Sequence, residues 1–258
     1  MASRKDEKEQ RKQERLAAEA EAAGAARKKK LTALVGGTVL AAILVVVVLV
    51  VVSQSDSGDP GGDPSSLNTD LPVLTSLDAL EQKGSVAGDP SSKVTIREFG
   101  DLQCPACKQF SETVIPELVG DSGVVGSGDA ALEFQNFVII GKESVDAAKA
   151  SLAAGEQDRM WQFVEIFYAN QGPENSGYVT DEFLTEVAEA AGVEDMDAWN
   201  ESRADPKWDA VLSQTQSDAQ KAGFTGTPSV LVDGPEGQKV LGSFPSTQQI
   251  EAAVQSVE

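Results

Sequence analysis

The sequence predicts a mixed α/β domain carried behind one membrane-spanning segment. Three observations say so. The elements follow the order strand, helix, strand, helical block, strand, strand, helix. Ahead of them, Leu31 to Val52 run for 22 residues without a charge. At ~1.5 Å per residue that run reaches roughly 33 Å, enough to cross a hydrocarbon core of about 30 Å. The only two cysteines, Cys104 and Cys107, fall between the first strand and the first helix of the domain.

The N-terminal third is organised by charge. Residues 1–30 hold ten Lys/Arg and six Asp/Glu, and the remainder holds 11 and 35, so the net charge steps from +4 to −24. Arg27-Lys28-Lys29-Lys30 stands before the apolar run, and only acids follow it closely in "SQSDSGD". That asymmetry places the N-terminus in the cytoplasm and the C-terminal body outside. A cleaved signal peptide is the competing reading. Its apolar core runs about 7–15 residues and ends in an A-x-A-like site. Here the run is longer, and "VVVSQSDS" holds no such site. The expectation is an uncleaved anchor over 31–52 behind a charged cytoplasmic tail over 1–30. Residues 53–75, opening "SQSDSGDPGGDPSSLNTD", read as a flexible linker. The domain is expected over 76–258. Its acid excess repels polyanions, so nucleic acid is not an expected partner.

Each element of the domain has a local signal. "SKVTIREF" alternates Val94 and Ile96 before Phe99 and reads as a strand. The helix after the cysteines carries Phe110, Val114 and Leu118 at helical spacing, with Pro116 kinking or shortening it. "ALEFQNFVII", 131–140, reads as a second strand with an apolar end. From about 143 to 222 the period turns helical, in roughly four helices broken at "NQGPENSG" and "AGVEDMD". Within it, "MWQFVEIFY" is core-like by spacing, with Trp161 and Tyr168 the better candidates to line a peptide groove. "PSVLVDG" and "QKVLG" form a strand pair across a Gly-containing turn. The last helix opens on a capping box, Ser246 and Gln249.

Composition narrows the chemistry. There is no histidine, so Ser–His and Cys–His nucleophile pairs are impossible. Two thiols make half of a usual zinc site, so no metal and no other cofactor is expected. Two readings of Cys104-Pro105-Ala106-Cys107 remain. As a staple, so short a loop constrains little of the unfolded chain. As a redox pair it is well placed. Cys104 precedes the first helical turn, where unpaired N–H groups and the helix dipole favour a thiolate, and Pro105 suits the first helical position. Cys104 is then the attacking thiolate and Cys107 the resolving thiol.

Strand–"EFGDLQCPACKQF"–helix, followed about 120 residues later by "FTGTPSVLVDG", resembles the DsbA-like thiol–disulfide oxidoreductases of the thioredoxin superfamily. The resemblance covers roughly residues 84–257. It implies a thioredoxin-like fold with a helical insertion between the βα and ββα halves. It implies a cis peptide at Thr227-Pro228 facing the cysteines, exposing the Thr227 backbone to an extended substrate segment. It also implies that Glu98, six residues before Cys104, is a buried acid relaying protons for the deeper thiol. As a plain strand residue Glu98 would point to solvent. Family members often pair this acid with a Lys on the next strand, and "ALEFQNFVII" has none. The strongly oxidising member of the family has His where this chain has Ala106, which implies a milder oxidant here.

The expected function is an extracytoplasmic enzyme, anchored in the cell membrane by a single span, that exchanges the Cys104–Cys107 disulfide with thiols of secreted proteins or peptides. Oxidation is the expected direction, with recharging by a quinone-linked membrane oxidoreductase. A reductase or isomerase is the alternative within the class. A non-catalytic peptide-binding or chaperone module is the alternative outside it.

Overall fold

The computed structural model describes residues 67–258. The tail over 1–30, the span over 31–52 and the linker up to 66 lie outside the described residues. Among the described residues, no helix is long and apolar enough to cross a membrane.

One six-stranded sheet organises the domain. Its strands are β1 (Gln82–Lys83), β2 (Val86–Ala87), β3 (Thr95–Gly100), β4 (Ala131–Asn136), β5 (Ser229–Gly234) and β6 (Gly237–Ser243), in the spatial order β1-β2-β4-β3-β5-β6. β3 runs parallel to β4, and every other pair is antiparallel. The β3–β4 crossover carries α2 (Pro105–Thr113) and α3 (Ile115–Val119). The break between them falls at Val114, just before Pro116, whose missing N–H and ring cannot continue the first helix. Between β4 and β5 lies the helical insertion: α4 (Lys142–Gly155), α5 (Met160–Ala169), α6 (Asp181–Ala190), α7 (Met196–Arg203) and α8 (Lys207–Lys221). After β6 the chain closes with α9 (Thr247–Val257), capped reciprocally by Ser246 and Gln249. This is the mixed α/β, thioredoxin-like arrangement with a helical insertion between its halves.

Strand parity divides the core. Ile96 and Glu98 on β3 face the same side as Val230 and Val232 on β5, the side covered by α2 and α9. Phe99 and Leu231 face the other side, against Ala219 on α8 and Phe224 in the turn just after it. Arg97, also on that side, bridges Glu133 at 3.0 Å and Asp233 at 3.5 Å. At the end of β3, Gly100 allows a close approach. A Cβ there would lie 2.8 Å from the Phe134 ring and 3.1 Å from the Tyr168 hydroxyl.

Several expectations need correction. The helical block contains five helices rather than four. The folded unit begins before residue 76: α1 (Pro72–Ala79) buries Val73 and Leu77 against α3 and α5, so the linker cannot extend to 75. The β1–β2 hairpin, turning at Gly84-Ser85 with Gly84 at φ +62°, was too short to leave a periodic signal. β4 stops at Asn136 instead of running to Ile140. The amides of Ile139 and Ile140 are taken by the Asp101 carboxyl at 2.8 and 3.0 Å, so the apolar end of that segment is a loop pinned to the start of the cysteine motif. Trp161 and Tyr168 are not groove residues. Both are fully buried, with the indole N–H donating to Ser85 O at 3.0 Å and the phenol to Asp101 O at 3.3 Å.

Candidate redox site

The cysteine motif sits where the central strand hands over to a helix. Asp101, buried at the end of β3, organises the turn. Its Oδ1 accepts from the Gln103 amide at 2.9 Å and its carbonyl from the Cys104 amide at 2.9 Å. Gln171 braces the same turn, donating to Leu102 O at 2.7 Å and Cys104 O at 3.2 Å. Gln103 links it to the insertion through Ser144 at 2.9 Å and the Asn175 amide at 2.8 Å. Cys104 is thereby set as the N-cap of α2, with Pro105 at the first helical position.

The two thiols have opposite surroundings. Both are free in this structure. Cys104 keeps 9% of its surface and Cys107 none. Cys104 is lowered to about 6. The Cys107 thiol donating to it is the largest cause, with further support from Thr227 and from the Cys107 and Ala106 amides at the open helix end; burial works against them. Cys107 is pushed well above 9, first by burial, then by the hydrogen bond it donates to Cys104, and then by the Cys104 and Glu98 charges. One sulfur is thus a thiolate at neutral pH and its neighbour a protonated thiol.

Thr227 and Pro228 reach the site from the start of β5. Their peptide is cis, and the Thr227 carbonyl oxygen stands 3.5 Å from Cys104 Sγ. Glu98 lies on the core face of β3 and retains 1% of its surface, so the solvent-facing alternative does not hold. Burial raises its carboxyl well above the usual range, reinforced by the Glu165 and Cys104 charges. Its Oε1 has no hydrogen-bond partner, and β4 next to it supplies Phe134 in register and no lysine. Among the described residues, no group of His, Cys, Asp and Glu is placed to hold a metal ion.

The five candidate residues, Glu98, Cys104, Cys107, Thr227 and Pro228, therefore come together from three parts of the sequence. Sequence reading missed Asp101, Gln103, Gln171 and Glu165. For Asp101 a local signal exists, since an Asp two residues before a backbone N–H at a strand end is an Asx-turn former. The other three act across the fold and leave no local pattern.

A family-level sequence profile described as Thioredoxin matches residues 81–252. The chain belongs to the thioredoxin family. A probable disulfide bond formation protein D from Bacillus cereus is 31% identical over 150 residues, covering 57% of this chain and 68% of that protein. The crystal structure of oxidised BdbD from Bacillus subtilis superposes with a TM-score of 0.58 at 25% identity, covering 68% of this chain and 95% of that one. The α-DsbA1 structure from Wolbachia pipientis, at 18% identity and a TM-score of 0.54, shares the fold. Within the thioredoxin family this chain is a protein thiol–disulfide oxidoreductase of DsbA-like type, with the sulfur pair at the start of α2.

Proposed function

We propose that Cys104 and Cys107 are the redox couple and that the domain acts as an oxidase of secreted-protein thiols. The observation that carries the reading is the contrast between the sulfurs: Cys104, lowered to about 6, keeps a small opening to solvent, while Cys107 is fully enclosed. A substrate thiolate attacks Cys104 Sγ. The Cys104–Cys107 bond breaks, and Cys107 leaves with the electron pair and takes a proton. A second substrate thiolate then attacks the substrate sulfur of the mixed disulfide, and Cys104 departs as a thiolate. The substrate loses two electrons and the cysteine pair gains them. In this scheme the cis Thr227–Pro228 segment docks an extended substrate backbone beside the sulfur, and Glu98 exchanges a proton with Cys107. A quinone-linked membrane oxidoreductase would remove the electrons.

The test is the equilibrium of the full chain with glutathione. Its potential should lie between about −120 mV, the strongly oxidising end of the family, and thioredoxin's −270 mV or so. A value at thioredoxin's end would replace the oxidase by a reductase. The electrostatic account of the site makes a further prediction. The Ala106 amide already supports the Cys104 thiolate, so Ala106→His adds a cation beside it. It should lower the Cys104 pKa and raise the potential by tens of millivolts, since about 30 mV corresponds to roughly 1.4 kcal/mol for two electrons. Thiolate absorbance against pH reads the first change, and glutathione equilibration the second. If neither moves, the helix-end account of this site is wrong.

The same proposal places the domain outside the cell membrane, held by a single span over 31–52 with the 1–30 tail inside and a linker from 53 to the start of the folded unit. The charge step around the apolar run supports it. In a cysteine-free full chain, a thiol introduced by Ser3→Cys should resist a membrane-impermeant maleimide on intact cells. One introduced by Ser91→Cys, at an exposed turn, should react. Labelling of the tail from outside would sink the topology.

A further inference from the structure

The proton exchanged at Cys107 needs a route. Each reduction of the disulfide leaves Cys107 needing a proton, and Glu98 is enclosed with it, so any proton Glu98 gives must be replaced from water. The helix that carries the cysteines shows where. Ser111 stands one turn beyond Cys107 on the same buried face of α2. Its hydroxyl donates to Glu165 Oε2 on α5 at 2.7 Å. Glu165 itself is buried, and its other oxygen, Oε1, finds no partner among protein groups. Unlike Glu98, it lines a cleft of about 320 Å³, walled by Leu71, Pro72, Ser111, Pro116 and Ala169, on the side of α2 that meets α1. That volume admits several waters at ~30 Å³ each.

We propose that Glu165 is the solvent-side member of a proton path that reaches Cys107 through Glu98, with Ser111 orienting its carboxyl and the cleft beside α1 as the mouth. The proposal rests on the reading of Cys104–Cys107 as the redox couple. Glu165 touches no reacting atom, so it is a positioning residue that acts through Glu98. Two electrostatic observations agree with the geometry. The Glu165 charge raises Glu98 more than the Cys104 thiolate does, so Glu98 senses the Glu165 carboxyl. Burial brings Glu165 itself to about 8, opposed by Ser111 and assisted by the nearby Glu112, so it holds and releases a proton close to neutrality. Lys108 lies 3.8 Å from Glu112 and donates to Ala169 O, and Asp78 on α1 accepts from Gln162.

The experiment is single-turnover oxidation of a dithiol peptide by the disulfide form of the full chain, followed by stopped flow from pH 6 to 9. The native rate, divided by the substrate's thiolate fraction, should fall through a step near pH 8. Glu165→Gln should abolish that step and slow the turnover about tenfold, with iodoacetamide reactivity of Cys104 changed less than twofold. In a Glu98→Gln background, adding Glu165→Gln should change the rate no further, because both lie on one path. Ser111→Ala, a smaller change, should shift the step without removing it. A purely structural role for Glu165 would alter stability and leave the pH profile native in shape, and that result overturns the proposal. Additive effects of Glu98→Gln and Glu165→Gln overturn it as well. If the native chain fails to cycle with glutathione at all, the redox reading falls first and the proton path with it.

Discussion

At pH 7, iodoacetamide is expected to modify Cys104 of the reduced protein more than ~100-fold faster than Cys107. A thiol lowered to about 6 is mostly thiolate at that pH, and only the thiolate is nucleophilic. A thiol raised well above 9 is almost wholly protonated, and Cys107 is also enclosed. The two factors multiply. The cause of the lowered value gives a sharper version. Because the Cys107 thiol is the largest support of the Cys104 thiolate, Cys107→Ala should raise the Cys104 pKa by about 1–2 units, the worth of one hydrogen bond to a charged group. Cys107→Ser keeps a donor and should fall between the two. The alkylation rate against pH, with the modified cysteine identified by mass spectrometry, reads all three proteins. Cys107 reacting first would reverse the roles, and an unshifted Cys107→Ala would remove the hydrogen bond from the account.

The second large effect is on stability. Glu165 carries its proton up to about 8 in the folded protein, against about 4.5 for an ordinary glutamate. Below the ordinary value both states are protonated and nothing is lost. As pH rises toward 8 the unfolded chain ionises and the folded one does not, so stability falls. The loss from this one group is on the order of 4 kcal/mol, and Glu98, raised in the same direction, adds to it. Cys104 has the opposite sign. Its folded value is depressed, so the reduced protein gains stability between pH 6 and 9 as the thiolate forms. Denaturant melts of a variant lacking both thiols, Cys104→Ala with Cys107→Ala, should therefore show a steep decline from pH 5 to 8. The reduced native protein should show a shallower one. Glu165→Gln in the thiol-free background should make the decline shallower and leave the share that belongs to Glu98. A pH-independent melt of the thiol-free protein would mean that Glu165 is not held protonated.

Much of the site was legible because its signals are local. Cys104 and Pro105 announce a helix start that stabilises a thiolate, and the structure has that helix begin at Pro105. Parity was available for Glu98 as well. It lies two residues beyond Ile96, so a strand that buries Ile96 turns Glu98 inward with it. The end of β4 was misread because "FVII" is as apolar as a strand, and the competing partner for its amides, Asp101, lies more than 35 residues earlier. Trp161 and Tyr168 were misplaced for the opposite reason. Amphipathic rings suit a groove, but their polar tips found buried carbonyls at Ser85 and Asp101 instead.

The sequence by itself determined the order of elements, the position of the sulfur pair at a helix start and the break before Pro116. Each depends on residues within one turn or one strand of each other. It also determined the absence of histidine, and with it the burden that falls on the helix end, a thiol and buried carboxyls. Only the tertiary structure decided the electrostatics. Cys104 and Cys107 part because Cys104 receives the Cys107 hydrogen bond and the helix-end amides while Cys107 is wholly covered, and both depend on what packs around the pair. The same holds for the meeting of Cys104 with Thr227 and of Ser111 with Glu165, pairs 123 and 54 residues apart. A buried carboxyl keeps its proton because the packed core withdraws the water that would solvate its charge, and no local pattern records where that water is excluded.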